Sequence, residues 1–205
     1  VKKVISEILD IQRGTVEVSE LGPNTATLLL LGYYSNIDLT GKVSLDLILN
    51  SSDVKKAVKD ALNIIAEEVE EIKGAVSYLN NLKLSNEDIA KIIVVLKSSF
   101  INEIQYRDAF EYMLEIVSEI AGKSFTEDTT PNFINKLAVE IIEPKNGEFY
   151  DGVFGIGGGA IEAYNFSKGY GNELKVYGQE VNLKTYCIAC IRMFINGIKS
   201  ADIRV

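Results

Sequence analysis

Apolar residues recur at helical spacing through most of the first 120 positions, and the pattern then changes. Val4, Ile5, Ile8 and Leu9 lie three and four apart, which predicts an amphipathic helix over 1–9. Ser52-Asp53 opens a longer stripe of Val54, Ala57, Val58, Ala61, Leu62, Ile65, Val69 and Ile72, with Gly74 as the expected interruption. Ser85-Asn86-Glu87-Asp88 has the form of a capping box, so a helix over 89–96 starts there. A further helix over 104–120 is predicted to turn Phe110, Met113, Leu114, Val117 and Ile120 inward, with Gly122 just past its end. The segment 15–50 resists this reading. Pro23, Gly32, Gly41 and Asn50 punctuate it, and it is expected to be mainly helical with loops.

Beyond a polar loop at 123–128 the pattern alternates between two periods. Thr130-Pro131 reads as an N-cap followed by proline at the first helical position, and Pro144 stops the helix 132–142 that follows. Next come a strand at 148–153, a helix at 160–167, a strand at 174–177 and a helix at 183–196 closed by Gly197. Ile203-Arg204-Val205 has the look of a third strand opening. Such alternation predicts a parallel sheet with right-handed crossovers. The expected architecture is therefore α/β: a helical N-terminal domain over 1–125, then the first part of a Rossmann-like fold over 126–205.

Composition narrows the chemistry. With 21 basic and 29 acidic residues the formal charge is −8, which argues against this chain alone gripping nucleic acid. There is no histidine, so Ser-His-Asp catalysis, Cys-His catalysis and His-ligated metal are excluded within the chain. The longest apolar run, 26–31, is too short to span a bilayer, and no signal-peptide pattern follows Val1-Lys2-Lys3. Two cysteines and no export signal point to the cytoplasm. Glu67-Glu68-Val69-Glu70-Glu71 reads as a solvated helix face. Cys187 and Cys190, three apart on one predicted helix, read as small buried residues rather than a redox pair or a zinc site.

The candidate site is the run from Tyr150 to Ala160. Gly155-Ile156-Gly157-Gly158-Gly159-Ala160 satisfies G-x-G-x-x-G/A, follows a strand and precedes a helix. That junction gathers backbone N–H groups at a helix N-terminus, which suits a nucleotide-type ligand. Glu180, at the end of the second strand, is placed to accept hydrogen bonds from ribose hydroxyls. In dinucleotide folds the first glycine directly follows the strand. Here Asp151 stands four residues before Gly155, giving D-x-x-x-G-x-G, a pattern that resembles S-adenosyl-L-methionine (SAM) methyltransferases. A carboxylate there would attract the cofactor's ammonium group. A nicotinamide-dependent oxidoreductase is the more distant reading.

Asp108-Ala109-Phe110-Glu111-Tyr112-Met113-Leu114, Ala121-Gly122-Lys123, Thr130-Pro131, the run 151–158 and Tyr177-Gly178-Gln179-Glu180-Val181-Asn182 occur in that order. The series resembles the N6-adenine DNA methylases that form the modification subunit of type I restriction–modification systems. Their pattern is D-A-Y-E-Y-L, A-G-K, F-Y-T-P, D-P-x-C-G-S-G-G and Y-G-Q-E-x-N, and the likeness covers about the last half of the chain. It implies that Thr130 and Pro131 lie against the methionine part of SAM. It also places Asp151, Gly155, Gly157 and Gly158 in the motif I loop, Glu180 on the ribose and Val181 beside adenine. By the same resemblance, DNA and separate specificity and restriction subunits are the partners of a larger complex.

Departures qualify this. Gly152, Phe154 and Ile156 replace the family's Pro, Cys and Ser, and Asp128-Thr129 replaces its Phe-Tyr. Phe154 and Ile156 are bulky where a ligand approaches backbone, so a weakened grip on SAM is expected. The family's catalytic N-P-P-[FY], which holds a flipped adenine, is absent from these residues, whose prolines are Pro23, Pro131 and Pro144. The chain is thus expected to be a fragment or truncated product that cannot methylate adenine by itself. The competing expectation is a degenerate, non-catalytic module that assembles with restriction or defence subunits, or with itself through an incomplete sheet.

Overall fold

The computed structural model describes residues 1–100, 102–121, 130–199 and 201–205. Gly122, the 123–128 loop, most of Ala-Gly-Lys and Asp128-Thr129 lie outside the described residues. The chain divides into two compact units, Val1–Phe125 and Thr126–Val205.

The first unit holds helices α1 (Lys2–Gln12), α2 (Val18–Ile37), α3 (Leu45–Leu49), α4 (Val54–Glu68), α5 (Glu70–Lys73), α6 (Val76–Leu79), α7 (Asn86–Ser99) and α8 (Glu103–Ala121). Helix α2 is its axis, packed against α1, α4, α7 and α8. Every residue from Leu21 to Tyr34 is buried, so α2 shows no polar stripe. Gly32 does not interrupt it. The Tyr106 ring of α8 occupies the space that a Cβ at Gly32 would need. Local caps act where their chemistry predicts: Asp53 accepts from Lys56 N at 3.1 Å, and Ser85 accepts from Asp88 N at 3.0 Å.

Two expectations are corrected here. The stripe from Val54 to Ile72 is not one helix, because the backbone turns extended at Val69 (φ −125°, ψ 100°), five residues before Gly74. The break buries Val69 and Ile72 together, so the apolar count is right while the backbone differs. Ile120 is 40% exposed rather than inward, whereas Phe110, Met113, Leu114 and Val117 are buried. Of the acidic run, Glu68 accepts from Tyr34 Oη at 2.5 Å and from Lys42 Nζ at 2.8 Å.

The second unit runs α9 (Asn132–Ile142), β1 (Glu148–Asp151), α10 (Gly158–Gly169), β2 (Lys175–Gln179), α11 (Leu183–Ile195) and β3 (Ala201–Arg204). Its three strands are parallel in the order β1-β2-β3, with Asp151 opposite Gly178 and Gly178 opposite Ile203. Val176 and Gly178 are buried while Lys175 and Gln179 are exposed, so one face of the sheet is covered. Cys187 and Cys190 are buried on α11, and burial pushes the Cys187 thiol up to about 12.

Helix α9 has the expected bounds, 132–142, but its cap lies one position later than expected. Pro131, not Thr130, is its N-cap, with its carbonyl accepting from Ile134 N at 2.9 Å and no side-chain cap. The proline ring fixes φ near −55° there, a value that serves either position.

Candidate functional site

The turn between β1 and α10 is held from three sides. Asp151 closes β1, and its Oδ1 accepts from Val153 N at 2.9 Å. Phe154 N donates to Gln179 O at 2.9 Å, tying the turn to the end of β2. Arg192 of α11 donates from Nη1 to Ile156 O at 3.0 Å. Gly155 and Gly157 both lie in the left-handed region, with φ 54° and 78°, where a side chain is strained. Gly157 is the N-cap of α10 and supplies no side-chain acceptor, so the first N–H groups of that helix stay directed at the turn.

Glu180 sits just past β2 and grips the same turn. Its Oε2 accepts from Gly155 N at 3.0 Å, and its Oε1 accepts from Asn182 N at 2.7 Å. Its own N–H donates to Arg204 O at 2.9 Å, which fixes the backbone against β3. Each carboxylate oxygen has two lone-pair directions, so one on each remains for a further donor. A carboxylate oriented in this way by two backbone amides suits a vicinal diol.

The structure therefore gathers Asp151, Gly155, Gly157, Gly158 and Glu180 at the carboxyl ends of β1 and β2, where ligands of open α/β sheets bind. Val181 follows at 92% exposure, an apolar side chain facing solvent beside this cluster. Thr130 and Pro131 are exposed at the start of α9, a helix that packs on α10.

Phe154 requires a correction. It is 3% exposed and does not face the open side of the turn. Its ring lies over Gly178, where a Cβ would fall 2.7 Å from Cε2, and under Gly157, where a Cβ would fall 2.8 Å from Cε1. The ring is core, so it does not obstruct a ligand. Ile156 is half-buried and meets Arg192 through its carbonyl.

Two residues escaped the sequence reading. Arg192 carries no local motif. Asn135, one turn into α9, brings its Nδ2 to 2.7 Å from where a Gly158 Cβ would be. Nothing in the sequence marks it out, since Lys136 beside it is equally polar among Phe133, Ile134, Leu137 and Ala138.

A glycine turn without Cβ groups, a fixed acid for a diol and a second carboxylate for a cation form a donor set that fits SAM. The parallel sheet and this turn define a methyltransferase-type α/β unit. A match to the N-6 DNA Methylase family spans residues 101–205, and the chain belongs to that family. It is 27% identical over 163 residues to the HindI methylase subunit of a type I restriction enzyme from Haemophilus influenzae, covering 72% of this chain and 37% of that relative. To the MjaIX methylase subunit from Methanocaldococcus jannaschii it is 31% identical over 130 residues, covering 60% of this chain and 23% of that relative. The crystal structure of a type I restriction–modification methyltransferase subunit from Streptococcus thermophilus shares the fold. It matches 99% of this chain and 57% of its own at a TM-score of 0.79 and 14% identity. The chain thus spans well under half the length of these curated relatives. Among the described residues, no helix is long and apolar enough to cross a membrane.

Proposed function

We propose that residues 126–205 form the SAM-binding portion of a type I-like DNA adenine-N6 methyltransferase, and that residues 1–125 form its helical domain. The observation that carries this is the Glu180 carboxylate, clamped between Gly155 N and Asn182 N with an acceptor direction left on each oxygen. In this reading Glu180 takes the ribose hydroxyls and Asp151 takes the ammonium. Gly155, Gly157 and Gly158 let the ligand approach backbone, while Val181 flanks adenine and Thr130-Pro131 flank the methionine part. When bound, the cofactor supplies an electrophilic methyl group on sulfonium. The residues that would hold a flipped adenine are not among these 205. DNA and the specificity and restriction subunits are accordingly met through a larger complex.

Calorimetry with SAM and with S-adenosylhomocysteine tests this. Binding is expected for both, and Glu180→Ala should weaken each by at least about tenfold, the loss of hydrogen bonds to a charged acceptor. Absence of heat with either ligand refutes it.

A second reading, a non-catalytic assembly module, is favoured by one observation. Helix α9 exposes Phe133 (70%), Ile141 (74%) and Ile142 (65%). A contiguous apolar face of this kind marks an interaction surface. Sedimentation velocity tests it, with mass expected to rise with concentration.

A further inference from the structure

The turn's open side is bordered by a second polar side chain, Asn135 of α9. Asn135 is half-buried, and its carboxamide makes no hydrogen bond among the described residues. A Cβ built on Gly159 would lie 3.7 Å from Asn135 Oδ1 and 3.8 Å from Asp151 Oδ2. The carboxamide of α9 and the carboxylate at the end of β1 therefore both border one point above the start of α10. Asp151 Oδ1 is engaged with Val153 N, which leaves Oδ2 turned toward that point.

A carboxylate beside a neutral amide makes a split environment. One side accepts from a cation, and the other can donate to an anion through Nδ2. Beside them, Asn135 Nδ2 stands 2.7 Å from the Cβ position of Gly158, so the amide rests against the backbone at the start of α10, where a side chain on that residue would displace it. A ligand end bearing an ammonium and a carboxylate on one carbon has the matching polarity. An adenosine or ribose has neither charge.

We infer that Asn135 is a specificity-determining residue of the cofactor site, donating from its carboxamide to the carboxylate of the cofactor's amino-acid end while Asp151 holds the ammonium. This rests on the SAM reading above. It adds to that reading a residue outside the glycine turn, carried by α9, that selects the intact amino-acid-bearing cofactor over its adenosine core.

The test is calorimetry of the full chain with two ligands, S-adenosylhomocysteine and 5′-methylthioadenosine, which lacks the amino-acid end. Asn135→Ala should weaken S-adenosylhomocysteine by about tenfold or more and leave 5′-methylthioadenosine within about twofold. Asn135→Asp should weaken S-adenosylhomocysteine further, because it sets a like charge against the ligand carboxylate. Retained 5′-methylthioadenosine binding shows in the same experiment that the variants are folded. Equal losses for both ligands, no loss for S-adenosylhomocysteine, or tighter binding by Asn135→Asp would each overturn the inference and leave the SAM reading standing. If the unaltered chain binds neither ligand, the SAM reading falls and this inference falls with it.

Discussion

Replacing three turn glycines by alanine, one at a time, separates the three demands the turn makes on them. Gly155 has φ 54° and open space around its Cβ position. Its alanine meets only the left-handed penalty of about 1–2 kcal/mol, offset by roughly 0.4–1 kcal/mol from the stiffer unfolded chain. The net cost is about 1 kcal/mol. Gly157 has φ 78°, and its Cβ would press on the Phe154 ring and the Met193 methyl. Overpacking adds about 1–3 kcal/mol, for a total near 2–4 kcal/mol. Gly158 is helical, and its Cβ would meet the mobile end of Asn135, which can swing away. Its alanine should be neutral within about 0.5 kcal/mol, since alanine also favours the helix. The assay is thermal unfolding of the full chain, with hydrogen exchange at α10 amides assigning the transition to the second unit. For a unit of this length, Gly157→Ala should lower the midpoint by on the order of 10 °C or more, and Gly155→Ala by about 5 °C. Gly158→Ala should barely move it. If Gly155→Ala proves as damaging as Gly157→Ala, Phe154 and Met193 are not packed beneath the turn and the reasoning is wrong.

Acid should loosen the end of α2 through Asp38. Hydrogen bonds from Thr40 and Val43 hold this half-buried carboxyl at about 2, below its ordinary 3.8. A depressed folded value contributes stability above about pH 4 that is lost as pH falls toward 2. Asp38→Asn should therefore flatten urea stability across pH 2 to 5, and an unchanged slope would refute the role. The exposed face of α9 predicts self-association: sedimentation velocity should show mass rising with concentration, and Phe133→Ser with Ile141→Ser should abolish the rise. A strictly monomeric chain at high concentration would sink the assembly reading.

What could be read from sequence was local. Asp53 and Ser85 cap helices by bonding amides three residues away, so their pattern is visible without the fold. The strand, glycine turn and acid of the site lie on one β–α–β run, from Asp151 to Glu180, and were legible for the same reason. Helix α2 was not, because burial on all sides erases the stripe that periodicity detects. Gly32 looked like a breaker, but its place in α2 depends on Tyr106, distant in sequence. The break at Val69 was hidden because Val69 and Ile72 stay on the apolar side through a change of backbone that their spacing does not record. Asn135 was hidden for a similar reason: its relevance exists only once α9 docks on α10.

Phe154 alters what the drift from the family's motif means. As a ligand-facing residue it would have crowded the turn, and the sequence alone assigns it that position. Buried between Gly157 and Gly178, it instead links the turn to β2, where its own N–H also bonds Gln179 O. The glycine at 178 leaves room for the ring, so the aromatic residue and the two glycines form one packing unit. That unit sets where Gly155 stands, and Gly155 N is one of the two donors that aim Glu180. A substitution that looked like decay of the glycine loop is thus coupled, through core packing, to the geometry of the Glu180 carboxylate. In the proposed site the polar atoms of Glu180, Asp151 and Asn135 border the open side of the turn, and the bulk of Phe154 does not.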